Sequence, residues 1–244
     1  MSRKILPLTL DRLAAVDAPC RACLFWELDP VRRSRVPVDE AAATKEAWLS
    51  EVLREWGSCG RVAVVDDSVV GFLIYVPAAF APGSESFPTA PISSDAVLLT
   101  TVWLDPQYAG AGLGRMLVQA MAADLIRRGG IKAIEAFGDV GPLSAVFHAN
   151  SCAAPAEFLA RVGFKTHRVH PTAPRLRMEL SSAVTWRDEV EAALEKLLGV
   201  VRPRHTPHPT PAPRAGNSLR GHLQRGARSR NDMWPAPKCG PHGH

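Results

Sequence analysis

The sequence predicts a single mixed α/β domain, and three observations carry that prediction. Two β-branched apolar runs, 61–65 and 69–76, are separated only by Asp66-Asp67-Ser68, the signature of an antiparallel hairpin. A strand–helix–strand unit spans 96–137 and is long enough for a parallel crossover. Amphipathic helical segments stand on both sides of these runs. The domain occupies 1–182, a helical segment follows over 183–201, and 202–244 has a different composition.

Taken in order, 9–28 reads as a helix broken around Pro19. Asp39 is placed to cap a helix reaching about Trp56, with Ala43, Trp48, Val52 and Leu53 as its apolar stripe and Gly57 as its stop. The hairpin comes next. Residues 77–95, rich in Pro, Ser and Gly, form a loop of a length that compact domains keep mainly for function. The run 96–104 (AVLLTTVWL) has the character of a central strand covered on both faces, and Asp105-Pro106 ends it. Over 112–128, Leu113, Met116, Leu117, Ala120, Met121 and Leu125 share one helical face. Arg127 and Arg128 suit that helix's last turn, and Gly129-Gly130 stop it. The run 131–137 is a further strand. A short helix begins near Pro155 and ends at Gly163, followed by short strands over 164–169 and 176–180. Thr185 and Asp188 are spaced as a capping box for a helix over 185–198. Its apolar Val190, Ala193, Leu194 and Leu197 cover either this domain's core or a second copy, so a homodimer is one expectation.

Of the 244 residues, 46% are hydrophobic and 22% charged, ordinary globular values. No uninterrupted apolar run reaches the roughly 18 residues of a membrane span, and 1–13 lacks the pattern of a secretory signal. A cytoplasmic protein without a membrane partner is expected. The net charge of +5 divides unevenly: 202–244 hold eight Lys/Arg against Asp232, leaving 201 residues at −2. That tail also carries eight of the 21 prolines and five of the eight histidines, and its scarcity of aliphatics predicts disorder. The near-neutral body offers no basic nucleic-acid face. A nucleic-acid role for the tail, salt-sensitive if it exists, is the weaker reading beside a linker. Five cysteines, an odd number, suit a reducing compartment. Cys20 and Cys23 form a C-x-x-C, but no second pair accompanies Cys59 and Cys152, so they read as core hydrophobes rather than zinc ligands. No metal is expected.

The informative stretch is 104–115, Leu104-Asp105-Pro106-Gln107-Tyr108-Ala109-Gly110-Ala111-Gly112-Leu113-Gly114-Arg115. It leaves a buried strand and opens a helix. Glycines there let main-chain N–H groups approach an anion, and the helix start adds unpaired donors and a positive dipole end. A P-loop needs Gly-Lys-Ser/Thr, whereas Gly114 is followed by Arg115 and Met116. A dinucleotide fingerprint needs G-x-G-x-x-G, whereas Gly110, Gly112 and Gly114 alternate, and Glu135 falls within the next strand rather than at its tip.

Gln107-x-x-Gly110-x-Gly112 after an Asp-Pro strand end resembles the acyl-CoA-binding motif of the GNAT N-acetyltransferase superfamily. The segment Phe158-Leu159-Ala160-Arg161-Val162-Gly163-Phe164 is similar to that family's short helix ending in Gly-Phe. The resemblance covers about residues 6 to 180. It implies a three-layer α/β/α sandwich around a mixed, splayed sheet, with acetyl-CoA as acyl donor and an amine as acceptor, a small molecule or a peptide. It also implies pantetheine contacts from the main chain of Val102, Trp103 and Leu104. Gly110, Ala111, Gly112, Leu113 and Gly114 would hold the pyrophosphate, with Arg115 at the rim.

For catalysis, the resemblance points to Glu135 as general base, the mid-strand Glu of Lys132-Ala133-Ile134-Glu135-Ala136-Phe137. A carboxyl beside Ile134 and Phe137 is expected to have a raised pKa, suiting that role. The other reading puts it in an ion pair, with Lys132 as candidate partner. The family's usual acid, a Tyr five residues before the Phe of Gly-Phe, is replaced by Leu159, and the Asn seven residues earlier by Cys152. Either water or Cys152 substitutes, or the thiolate leaves unaided; Cys152, with His148 in the same stretch, is also a candidate covalent nucleophile. Glu27 and Asp29 in Trp26-Glu27-Leu28-Asp29 are candidate attractors of a cationic amine, beside the 77–95 loop. The alternative function is an acyl-CoA-binding sensor or interaction module that turns nothing over.

Overall fold

The computed structural model describes residues 2–141 and 153–181. The predicted hairpin is present: β2 (Gly60–Val65) and β3 (Ser68–Val76) pair antiparallel. Asp66 and Asp67 turn the chain at φ 45° and 66°, the positive values a two-residue turn needs to match strand twist. Ahead of it, β1 (Arg3–Pro7) forms one edge of the sheet, and α1 (Leu10–Ala14) is capped by the Thr9 hydroxyl accepting from the Arg12 N–H. α1 and a single 3₁₀ turn at Pro19–Arg21 are the helical pieces within the predicted 9–28, and the short α2 (Pro30–Arg33) lies beyond that range.

The helix predicted to start at Asp39 does so differently. A 3₁₀ turn over Val38–Glu40 leads directly into α3 (Ala41–Glu55), and no side chain caps it. Preceding helical turns already orient the chain, so the Asp39 cap is unused.

β4 (Ala96–Leu104), α4 (Leu113–Arg128) and β5 (Ala133–Asp139) form the strand–helix–strand unit, with β4 and β5 parallel. The two-residue β6 (Ala154–Pro155), α5 (Ala156–Arg161), β7 (Lys165–Arg168) and β8 (Arg175–Glu179) complete the described chain. The strands run β1-β2-β3-β4-β5-β8-β7, mostly antiparallel, and β6 pairs with the end of β5. The helix expected over 185–198, the tail, His148, Cys152 and Cys239 lie outside the described residues.

Alternation of side chains divides the core into two layers, one on each face of the sheet. On one face, Leu113, Leu117, Met121 and Leu125 of α4 and Phe158 and Leu159 of α5 pack on Leu73, Leu99, Ile134 and Leu176. On the other, Leu13, Trp26, Trp48, Leu49 and Val52 cover Val62, Phe72, Ile74, Leu98, Trp103 and Phe137. Three layers result, helices on both sides of a mixed sheet.

Asp124 locks α4 in place. It accepts from the Tyr75 hydroxyl at 2.6 Å and pairs with Arg61 of β2. One turn on, Arg128 donates to the carbonyls of Trp56 (2.7 Å) and Ser58 (2.6 Å), its guanidinium 4.0 Å from the Trp56 ring centroid. These bonds fix the helix axis, and so the position of its N-terminus.

Candidate functional site

β4 and β5 pair only through Ala96–Ala133, Val97–Ile134 and Leu98–Glu135. Beyond Leu98, β4 stays bonded to β3 as far as Leu104 and leaves β5, which is paired with β8 on its other edge throughout Ala133–Phe137 and takes up β6 at Gly138 and Asp139. The sheet is therefore open along one flank of 99–104. The Asp105 N–H donates to Val70 of β3 at 2.8 Å. Because main-chain groups alternate in direction along a strand, Trp103 faces β3 as well, and Val102 and Leu104 turn toward the opened flank.

The turn above the opening is built by Asp105, whose carboxylate accepts from the Gln107 N–H at 2.9 Å and starts a 3₁₀ turn at Pro106–Tyr108. Gly110 and Gly112 follow at φ 77° and 81°. A Cβ on either would meet no atom of the described residues within 4 Å, so none of them fills the space above the turn. Gly112 sits at the N-cap of α4 and supplies no side-chain bond, which leaves the first-turn N–H groups uncapped by side chains. Arg3 donates to the Ala111 carbonyl at 3.1 Å and Arg115 to the Arg161 carbonyl at 3.1 Å, placing two cations beside the turn.

Gly114 has another reason to be glycine. A Cβ there would stand 2.8 Å from Cε2 of Phe158, so its bare Cα lets α5 approach α4. Gly114→Ala is expected to cost about 1–3 kcal/mol by overpacking, read as a lowered Tm.

Glu135 differs from expectation in both partner and charge. It is fully buried, and its partners are arginines of β8, not Lys132. Arg177 Nη1 donates to Oε1 at 3.0 Å, Arg175 Nε stands 3.3 Å from Oε2, and the Ser93 N–H donates to Oε2 at 3.0 Å. Burial alone would push the carboxyl up. The Ser93 bonds, the Arg177 bond and the Arg175 charge outweigh it and hold the carboxyl below the usual carboxylate range. The apolar neighbours Ile134 and Phe137 suggested the opposite, because cross-strand partners do not show in local sequence. Glu135 and Arg177 are register partners. Arg177 also grips Asp95 at 2.9 and 3.2 Å and Glu179 at 2.6 Å.

On the face opposite α4, Trp26, Phe87 and Phe137 form a stack, with the Phe87 and Phe137 rings 4.3 Å apart. The 77–95 segment is pinned to this wall rather than free. Gly83 N–H donates to Trp26, Trp48 Nε1 to Phe80, and the Thr89 hydroxyl to Ala173. Trp26 Nε1, Thr101 Oγ1 and Arg175 Nη1 are buried on this face with no hydrogen-bond partner among the described residues. Unpaired buried donors cost about 1–3 kcal/mol each and mark places where an acceptor atom would be stabilised.

Glu27 and Asp29 do not present free carboxylates to an amine. Glu27 is buried against Lys45 Nζ at 2.7 Å, and Asp29 caps α2 by accepting from the Val31 and Arg32 N–H groups. Burial disfavours the Lys45 ammonium, but the charge and hydrogen bond of Glu27 and the charges of Cys23 and Cys20 together outweigh it and push the group up to about 12, while burial raises the Glu27 carboxyl. Sequence reasoning missed Lys45, although it lies at the helical spacing of the stripe Trp48, Leu49 and Val52. It also missed Arg175 and Arg177, whose alternation with Leu176 and Met178 places both on one face.

Leu159 is fully buried in the core beneath α5. Tyr75 is committed to Asp124, and burial pushes its hydroxyl up; Tyr108 lies in the turn before Gly110. Among the described residues, no group of three or more His, Cys, Asp or Glu could hold a metal ion, and no helix is long and apolar enough to cross a membrane.

Comparisons with known proteins bear on this arrangement. No curated protein matches the chain. Among solved structures, PaiA N-acetyltransferase from Thermoplasma acidophilum in complex with coenzyme A is 14% identical, covering 73% of this chain and 99% of that one at a TM-score of 0.45. An N-acetyltransferase from Staphylococcus aureus Mu50 is 15% identical, over 74% and 99%, at 0.47. The GNAT family N-acetyltransferase YhbS from Escherichia coli, also with CoA, is 21% identical, over 74% and 83%, at 0.40. The model of the acetyltransferase (GNAT) family matches residues 23–145, which run from the Trp26 wall through the glycine turn to the end of β5. With half of its sequence so matched, the chain belongs to the acetyltransferase (GNAT) family.

Proposed function

We propose that the protein is an acyl-CoA-dependent N-acyltransferase that moves an acetyl group from acetyl-CoA to an amine by direct attack. The observation that carries this reading is the unfilled turn at Gly110 and Gly112 above a sheet opened between β4 and β5. N–H groups of Gly110, Gly112, Leu113, Gly114 and Arg115 would hold the pyrophosphate at the positive end of α4, with the Arg115 and Arg3 guanidiniums beside it, while Ala111, whose N–H donates to the Tyr108 carbonyl at 3.3 Å, shapes the turn. The main chain of Val102 and Leu104 would pair with the amide-bearing pantetheine arm, as an added strand does. Trp103, turned to β3, braces that strand. Bound this way, CoA supplies a thioester carbonyl at the point where the strands part.

The acceptor would enter from the opposite face, past Trp26, Phe87 and the unpaired donors of Thr101 and Arg175. Its neutral amine attacks the carbonyl carbon, the C–S bond breaks, and the thiolate leaves. Glu135, clamped by two arginines, is a poor proton acceptor. Its role in this reading is to hold β4, β5 and β8 together at the divergence, so the amine's proton leaves to water.

Leu159 and the clamped Glu135 favour a second reading, a protein that binds acyl-CoA and turns it over little. A thiol-release assay over a panel of peptide, polyamine and small-molecule amines, run with acetyl-CoA calorimetry, tests both. Binding with amine-dependent thiol release is expected. Binding with no release for any amine selects the second reading, and absence of CoA binding overturns both.

A further inference from the structure

Arg175 carries a charge that the fold uses only in part. The residue is 3% exposed, and a guanidinium keeps its proton inside proteins although burial disfavours the charge. Among the described residues, the one carboxylate within 4 Å of its nitrogens is Glu135, 3.3 Å from Nε, and Arg177 shares that carboxylate at 3.0 Å. Arg168 stands opposite Arg175 across the β7–β8 ladder, where like charges repel. Asp95 and Glu179, the other acids nearby, are bound by Arg177 at 2.9 and 2.6 Å. Positive charge is therefore in excess around Arg175, and its Nη1 is buried with no hydrogen-bond partner among the described residues. A neutral acceptor at Nη1 would satisfy the hydrogen bond, whereas an anion would also balance the charge.

The position of this cation relates it to the acceptor. Glu135 is the last residue of β5 paired with β4, so its contact with Arg175 Nε lies where the strands part. Arg175 is also the register partner of Phe137, and register partners share a face of the sheet. The Phe137 ring stacks 4.3 Å from Phe87 and 6.3 Å from Trp26, so the guanidinium belongs to the aromatic wall opposite α4. Resting on the acyl-transfer reading, we propose that the acceptor is a small amine that also carries a carboxylate, as an amino acid or a short peptide does, and that Arg175 Nη1 donates to that carboxylate. The apolar rings exclude water and strengthen the pairing. One negative charge suits one free donor. A phosphate would bring a second charge to the same nitrogen, beside Glu135.

The test uses the full chain saturated with CoA and the acetylated forms of candidate acceptors, which bind without reacting. N-acetyl derivatives of the common amino acids and of dipeptides are titrated by calorimetry, each beside its C-terminal amide. The acids that bind are expected to do so about 10- to 100-fold more tightly than their amides, the weight of one charge-assisted hydrogen bond. The tighter of the two series identifies the amino acid or the peptide as the source of the carboxylate. Arg175→Gln should remove the preference for acid over amide and leave CoA affinity as it was. Should that variant fail to fold, Arg175→Lys keeps a cation for Glu135 but lacks the Nη1 donor, and it should weaken the acids alone. Acids that bind no more tightly than amides, no acid that binds beside CoA, or an Arg175 variant with the full preference would overturn the inference while leaving acyl transfer standing. A chain that does not bind CoA would overturn the acyl-transfer reading, and this inference with it.

Discussion

Replacing Gly112 by valine is expected to weaken CoA binding by about two orders of magnitude or more, because it removes main-chain contacts to a charged phosphate worth about 1.5–3 kcal/mol each. The new side chain would occupy the space above the turn where a Cβ now meets nothing. A second effect must be separated from this one. Gly112 has φ 81°, and any other residue there carries about 1–2 kcal/mol of backbone strain, more when β-branched. Gly129 provides the control, since it has φ 72°, ends the same helix, and has equally open space around its Cβ position. Its ψ of 172° puts it in a region closed to nearly every residue but glycine, so Gly129→Val should lower Tm at least as much and still bind CoA like the unaltered chain. Calorimetry that finds full affinity in a folded Gly112→Val chain would remove the phosphate from this turn. Equal loss of affinity in both variants would reduce the effect to strain.

Glu135→Gln should cost about 3–5 kcal/mol, because it preserves shape but leaves Arg175 and Arg177 facing each other without the carboxylate. Arg177 retains Asp95 and Glu179, which places the expected loss at the lower end of that range. For a domain of this size, the corresponding drop in Tm is roughly 6–12 °C. The pH dependence has a definite sign. The folded-state pKa of Glu135 is depressed, so its stabilisation is complete above the unfolded value of about 4.3 and fades as pH falls through the lower folded value. The variant should show a shallower loss of Tm in acid. Its kcat/KM profile should keep the acid limb of the unaltered protein, since a clamped carboxylate does not take the proton. Loss of that limb with Tm unchanged would restore Glu135 as the base.

These two residues also divide what was readable from what was not. The glycine turn was legible because its conformation rests on the main chain: alternate glycines between an apolar strand and an amphipathic helix already specify positive φ and a helix start without a side-chain cap. Glu135 was misjudged on charge because its environment comes from β8 and the loop carrying Ser93, more than forty residues away in one direction and the other. Glu27 and Asp29 were misread for the same reason. A carboxylate in sequence has no visible partner, yet one of these is neutralised by Lys45 and the other spent on a helix start.

The amino-acid order alone determined the hairpin, the strand–helix–strand unit and the open glycine turn between them, but not the edge strand β1 or the short α2, because periodicity, glycine and helix ends act over a few residues. Tertiary structure alone decided where β4 and β5 part, which carboxylates are taken up by partners, and that Lys45 meets Glu27 and the Cys23 carbonyl. Those outcomes depend on strand register and on charges meeting across the fold, and electrostatic partners are chosen by proximity in space rather than in sequence.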